Sequence, residues 1–135
     1  MARIKVVEAN RAEARLYMNK AQQFLDQARS AFTEQHYDAV MLNAVHSAIS
    51  SCDAVTVALS GRRSADPNHQ RAVELLEQTL AKATTGAPLS QLRALLAKKN
   101  VVEYESRPAT GREASEALKR SERIIAWALG MTKRP

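Results

Sequence analysis

The stretch Tyr37–Gly61, YDAVMLNAVHSAISSCDAVTVALSG, constrains this chain more than any other. Wound as a helix at about 100° per residue, it puts Tyr37, Met41, Ala44, Ala48, Cys52, Val55 and Leu59 on one face. Val40, Val45, Ile49 and Ala58 widen that apolar arc beyond half the circumference. An arc so wide leaves little surface for water, so this helix is expected to be the most buried of the chain.

The rest of the sequence repeats the same period in shorter pieces. A helix over about residues 8–34 carries Ala14, Met18, Ala21, Leu25, Ala28 and Phe32 at helical spacing, flanked by Tyr17 and Phe24. The central helix spans about 37–59 and is closed by Gly61. Asp66–Pro67 opens a third helix over about 67–83, with Val73, Leu76, Leu80 and Ala83 inward. A fourth runs over about 89–105. Thr110 and Glu113 form a capping-box pattern for a fifth, over about 111–129, which Gly130 should end. That last helix turns Ala114, Ala117, Leu118, Ser121, Ile125 and Ala128 inward, with Ile124 and Trp127 at the edges. No segment reads as a strand, a repeat or a linker. Short connections between helices imply antiparallel neighbours, so the expected fold is all-α: one domain over residues 1–135, an up-and-down bundle of four to five helices.

Composition agrees. Aromatic residues are 4% of the chain, and four glycines and four prolines leave few places to turn. The single Cys52 excludes an intramolecular disulfide and falls on the apolar face of the central helix, where it reads as a small core residue. A chain with one cysteine fits a reducing cytoplasm. The charged start MARIKVVEANRAEAR does not read as a signal peptide, and no apolar run approaches the roughly 20 residues of a membrane span. The net charge of +6 favours a polyanionic partner, RNA or a nucleotide.

Few residues offer chemistry. No His pair at i, i+4, no Cys–His cluster and no carboxylate-rich loop is present, so no metal and no cofactor is expected. A glycine-rich phosphate loop is absent as well. Asn43, His46, Ser50 and Asp53 share the narrow polar stripe of the central helix, and either line a cleft or an interface or form its solvated strip. His36 reads as a surface residue. His69 sits in the first turn of the third helix, where a neutral ring or a bound anion suits the helix dipole. In the fourth helix, Lys99 and Glu103 fall on the face of Leu92, Leu95 and Leu96. A charged pair on a packing face points to a cleft or a dimer seam, unless the helix frays and both groups reach water.

Helix two, the segment ADPNHQRAVELL and the segment LLAKKNVVEYESRPATGREASEALKRSERIIAWA together resemble the HEPN domain family (higher eukaryotes and prokaryotes nucleotide-binding). The resemblance covers roughly residues 10–130. It implies a helical bundle, commonly a homodimer, with helices two and four at a shared cleft. In many members an arginine, about four to six intervening residues and a histidine on the penultimate helix perform metal-independent RNA cleavage, the histidine acting on the 2′-hydroxyl and the arginine on the phosphate. Others work beside a nucleotidyltransferase-type partner in toxin–antitoxin systems. Here Lys99 stands where the arginine would be, and Tyr104 where the histidine would be. Lysine loses the bidentate fork, and tyrosine is a poor general base at neutral pH. Arg63 and His69 also satisfy the arginine–histidine spacing, but across a loop containing Pro67; that match reads as coincidence, or else Arg62, Arg63 and His69 bind an anion at the helix start. The expectation is therefore a cytoplasmic protein that binds RNA or a nucleotide without ribonuclease activity. Lys98, Lys99, Asn100 and Tyr104 would contact phosphate and base, Glu103 would orient Lys99, and Asn43, His46 and Asp53 would form the opposing wall. The alternatives are a ribonuclease using His46 or His69 with Lys99, and a structural accessory subunit.

Overall fold

In the computed structural model, which describes residues 3–80, 88–104 and 106–133 and only the backbone of Asn100, Val101 and Tyr104, every apolar stripe read above becomes a helix. Ala14–Thr33 forms α1, Tyr37–Ser60 forms α2, Gln70–Leu80 forms α3, Leu89–Tyr104 forms α4 and Gly111–Thr132 forms α5. A single 3₁₀ turn, Arg11–Glu13, leads into α1, with Asn10 accepting a hydrogen bond from the Ala12 amide at 2.9 Å. Ala83 falls outside the described residues.

α2 is the axis of the bundle and packs against each of the other four helices. Small residues make that possible. Ala21 and Ala28 on α1 and Ala44 and Ala48 on α2 are fully buried, so the two backbones approach closely. Two hydroxyls inside the core complete the contact: Ser47 donates to the Ala21 carbonyl at 2.8 Å, and Ser121 on α5 donates to the Ala44 carbonyl at 3.3 Å. Leu25, Leu76, Leu92, Leu95 and Ile124 fill the space between helices, each side chain contributing about 1.5–3 kcal/mol by leaving water. Ile124 is thus a core residue rather than an edge one, while Leu118 is only partly buried. By length and composition α2 would also cross a membrane, but 67% of its most apolar window is buried inside the bundle, which is what a central core helix looks like.

Helix ends follow local chemistry. The Thr110–Glu113 capping box is present, with both reciprocal bonds made. Gly61 closes α2 with a left-handed φ of 69°, and its amide donates to Val57 at 2.9 Å. A Cβ there would sit 3.3 Å from the Ala9 carbonyl oxygen, so glycine answers both the turn and the close approach. Gly130, in contrast, does not end α5; the helix runs through it to Thr132, because a glycine without a left-handed turn costs a helix only about 1 kcal/mol.

The expectation of no strands is corrected. Val6–Glu8 (β1) and Arg62–Ser64 (β2) pair antiparallel, Val6 with Ser64, Val7 with Arg63 and Glu8 with Arg62. The ribbon ties the start of the chain to the connection between α2 and α3, with Ala9 donating to Gly61 at 2.8 Å and Ala65 to Lys5 at 2.9 Å.

Candidate functional site

α4 sets one wall of the site. Leu92, Leu95 and Leu96 anchor it in the core, and Lys99 and Glu103 continue the same line beyond them. The two charged groups pair at 3.6 Å with side chains 22% and 28% exposed, so neither is released into solvent nor sealed from it. Lys99 stands at the mouth of a crevice, with Glu103 beside it.

That crevice has two compartments. The larger, about 360 Å³, is lined by Lys99, Leu96 and Ala97 of α4 and by Pro67–Gln70 at the start of α3. The smaller, about 200 Å³, is lined by Ile49 and Asp53 of α2, by Arg63 of β2, and by His69 and Ala72. His69 belongs to both and forms their common wall. Its Nδ1 is buried and has no hydrogen-bond partner among the described residues. The loop that carries it is tied down locally: Asp66 accepts from the Asn68 amide at 3.0 Å, and Asn68 accepts from the Gln70 amide at 3.1 Å. Since Asn68 already caps that amide, attraction of an anion to this end of α3 comes from the helix dipole and the nearby lysine.

The electrostatics follow from burial and charge. Burial, then the Lys99 ammonium, then His46 lowers the pKa of His69, with Glu103 opposing. Burial and Lys99 lower that of His46 in the same way. Both shifts favour the neutral form of the ring. Asp53 moves the other way: burial raises its carboxyl to about 7, against the pull of Arg63 and Lys20. The site thus holds a cation beside each compartment, two imidazoles biased toward the neutral form, and a carboxyl poised between its two states at neutral pH. Among the described residues no group of three or more His, Cys, Asp or Glu side chains is arranged to hold a metal ion.

Of the residues singled out in the sequence, His46, Asp53, Arg63, His69, Lys99 and Glu103 come together here. The Arg63–His69 spacing, read as coincidence, brings both residues to one compartment because the loop through Pro67 folds back over α2. Others are directed elsewhere. Lys98 lies 3.8 Å from Glu113 of α5, Asn43 donates to the Ala39 carbonyl on its own helix at 2.9 Å, and Arg62 faces a different cavity. The side chains of Asn100 and Tyr104 lie outside the described part of the structure. His36 is on the surface, 3.3 Å from Glu34.

Three further residues were missed by the sequence reading as site residues. Tyr17, Lys20 and Phe24 sit at i, i+3 and i+7 on α1 and touch the site from outside its two compartments. The Phe24 and His46 rings are 5.3 Å apart between centroids, and Lys20 and Arg63 lie 5.6 and 5.9 Å from the centre of the Tyr17 ring. Their spacing was a usable signal: two aromatics and a lysine on one face just outside the apolar stripe.

The sequence profile of the HEPN domain family matches residues 14–131. The crystal structure of an archaeal HEPN homologue superimposes with a TM-score of 0.67 at 20% identity, covering 89% of this chain and 98% of that one. At that identity the likeness speaks for the fold. No curated protein matches the sequence.

Proposed function

The chain belongs to the HEPN domain family, and from that premise we propose that it binds the phosphate of a nucleotide or an RNA strand in the crevice between α2, the start of α3 and α4. One observation carries the reading: the buried, unpartnered Nδ1 of His69 in a wall shared with Lys99. An unmet polar atom of this kind costs about 1–3 kcal/mol, and in the Nδ1–H tautomer a small turn of the ring toward the crevice would let it donate to a ligand oxygen. Lys99 supplies the charge, and Glu103 holds it over the opening. Arg63 offers a second cation from the other compartment.

The family's arginine–histidine ribonuclease mechanism is not part of this reading, because Lys99 and Tyr104 replace that pair on α4. A residual ribonuclease is the second reading. It is favoured by Asp53, whose carboxyl near 7 and imidazole neighbours are groups able to exchange protons at neutral pH. A homodimer across the α2–α4 face belongs to the same family-based reading, and light scattering giving a mass twice that of the chain would support it.

One pair of measurements tests the proposal. Calorimetric titration with adenosine monophosphate should give a binding isotherm that weakens at least about tenfold in Lys99→Ala, the loss expected when one charge-assisted contact worth ~1.5–3 kcal/mol is removed. Mixed RNA incubated with the protein and EDTA should stay intact; cleavage lost in His69→Ala would favour the enzyme reading instead. Unchanged affinity in Lys99→Ala would overturn the crevice as the phosphate site.

A further inference from the structure

β2 turns consecutive arginines to opposite faces of the ribbon. Arg63 goes to the crevice. Arg62 goes to a separate groove of about 590 Å³ on the other side, where it faces Arg3 and Arg71 over an apolar floor of Ile4, Val6 and Leu75. Arg71 is engaged there, 2.7 Å from Glu74 and 3.8 Å from Asp66. Arg3 and Arg62 make no ion pair among the described residues, although Glu8 lies directly across the ladder from Arg62. Val6 on the floor is 37% exposed. Two guanidiniums without carboxylate partners among the described residues, beside the Arg71–Glu74 pair that also lines the groove, match the phosphates of a nucleic-acid backbone.

Both cavities draw on the first turns of α3. Gln70 lines the crevice and the adjacent Arg71 lines the groove, about 100° apart around the helix. The ribbon stands between them, with Val6 and Arg62 on the groove side and Arg63 and Ser64 on the crevice side, so a ligand that engages both must cross it. We propose that the Arg3–Arg62 groove is a second phosphate-backbone site, so that the ligand entering the crevice is a single-stranded nucleic acid crossing the ribbon rather than a free nucleotide. This rests on the reading that the crevice takes phosphate.

The test separates the two claims. Fluorescence anisotropy would follow a roughly 12-nucleotide labelled oligouridylate, and its deoxythymidylate counterpart, across a salt series, alongside calorimetry with adenosine monophosphate. The double variant Arg3→Ala/Arg62→Ala should weaken the oligonucleotide about tenfold and lower the slope of log affinity against log salt by ~1.4, for two lost single-strand contacts. Its affinity for adenosine monophosphate should not change. Lys99→Ala should weaken both ligands. Both arginines are exposed, so circular dichroism of the double variant should match the parent. Tighter binding of oligouridylate than of the deoxy strand, or equal binding, would support a backbone site, the first pointing to RNA. An oligonucleotide affinity and salt slope unmoved by the double variant, with Lys99→Ala still weakening both ligands, would overturn the groove and leave the crevice standing. Competition by polyglutamate as effective as by oligonucleotide would also overturn it, in favour of an acidic protein partner.

Discussion

Asp53→Asn should stabilise the protein, and the gain should appear only as the carboxylate becomes charged. The side chain lies largely out of water, with no ion pair within 4 Å among the described residues, and its pKa rises from 3.8 to about 7. Because the native state holds its proton to higher pH than the unfolded chain, native stability falls as pH rises through the window from about 4 to about 7. Above that window the cost is complete. A rise of this size corresponds to at most ~4 kcal/mol, and local water and the Arg63 guanidinium bring the expected gain of asparagine at pH 8 to ~1–3 kcal/mol. Urea denaturation of both proteins at pH 5, 6, 7 and 8 measures it, with a midpoint difference growing to ~0.5–2 M. His46 and His69 titrate in the opposite sense, losing stability as pH falls below about 6.5, but they do so in both proteins and cancel in the difference. An asparagine variant no more stable than the parent at pH 8, or more stable by the same amount at pH 5, would refute the reasoning.

Three other outcomes follow from the same geometry. Glu113→Ala removes the acceptor of the Thr110 amide and of the two Arg107 bonds at 2.8 and 3.0 Å, and should cost ~1 kcal/mol in urea titrations at pH 7. Because Arg107 holds the Glu113 carboxyl down to about 2, that gap should close as pH falls from about 4.5 to about 2. Leu95→Ala empties a fully buried site between α4 and the core and should cost ~2–5 kcal/mol by the same assay. Cys52, buried and donating to the Ala72 carbonyl at 3.4 Å with its pKa raised by burial, should resist thiol reagents until the protein unfolds, as a mass-spectrometric labelling time course would show.

The helices were legible because their apolar residues recur at the helical period, and α2 was recognisable as the centre because its arc is so wide. The ribbon was not legible. Its strands are three residues each, joined only through pairing of Val6–Glu8 with a segment more than fifty positions away, and such pairing leaves no local period. The site was half legible. Lys99 and Glu103 announced themselves as charges on a packing face. Arg63 and His69 looked unrelated because the loop between them contains Pro67, and the Asx turns at Asp66 and Asn68, with the Asp66 amide donating to Ser64, hold that loop folded. Lys98 looked equivalent to Lys99 in sequence, yet one residue turns it about 100° around the helix toward Glu113. A charge cluster read along a helix does not say which of its members faces the cleft.

In the proposed phosphate site the His69 ring lines the crevice beside Lys99 and responds to the ligand. Long-range proton–nitrogen spectra of the histidine side chains, recorded while adenosine monophosphate is added, test it most directly. The His69 ring nitrogens should shift in step with the calorimetric binding curve while those of exposed His36 stay fixed. A His69 signal that does not move at saturating nucleotide would contradict it.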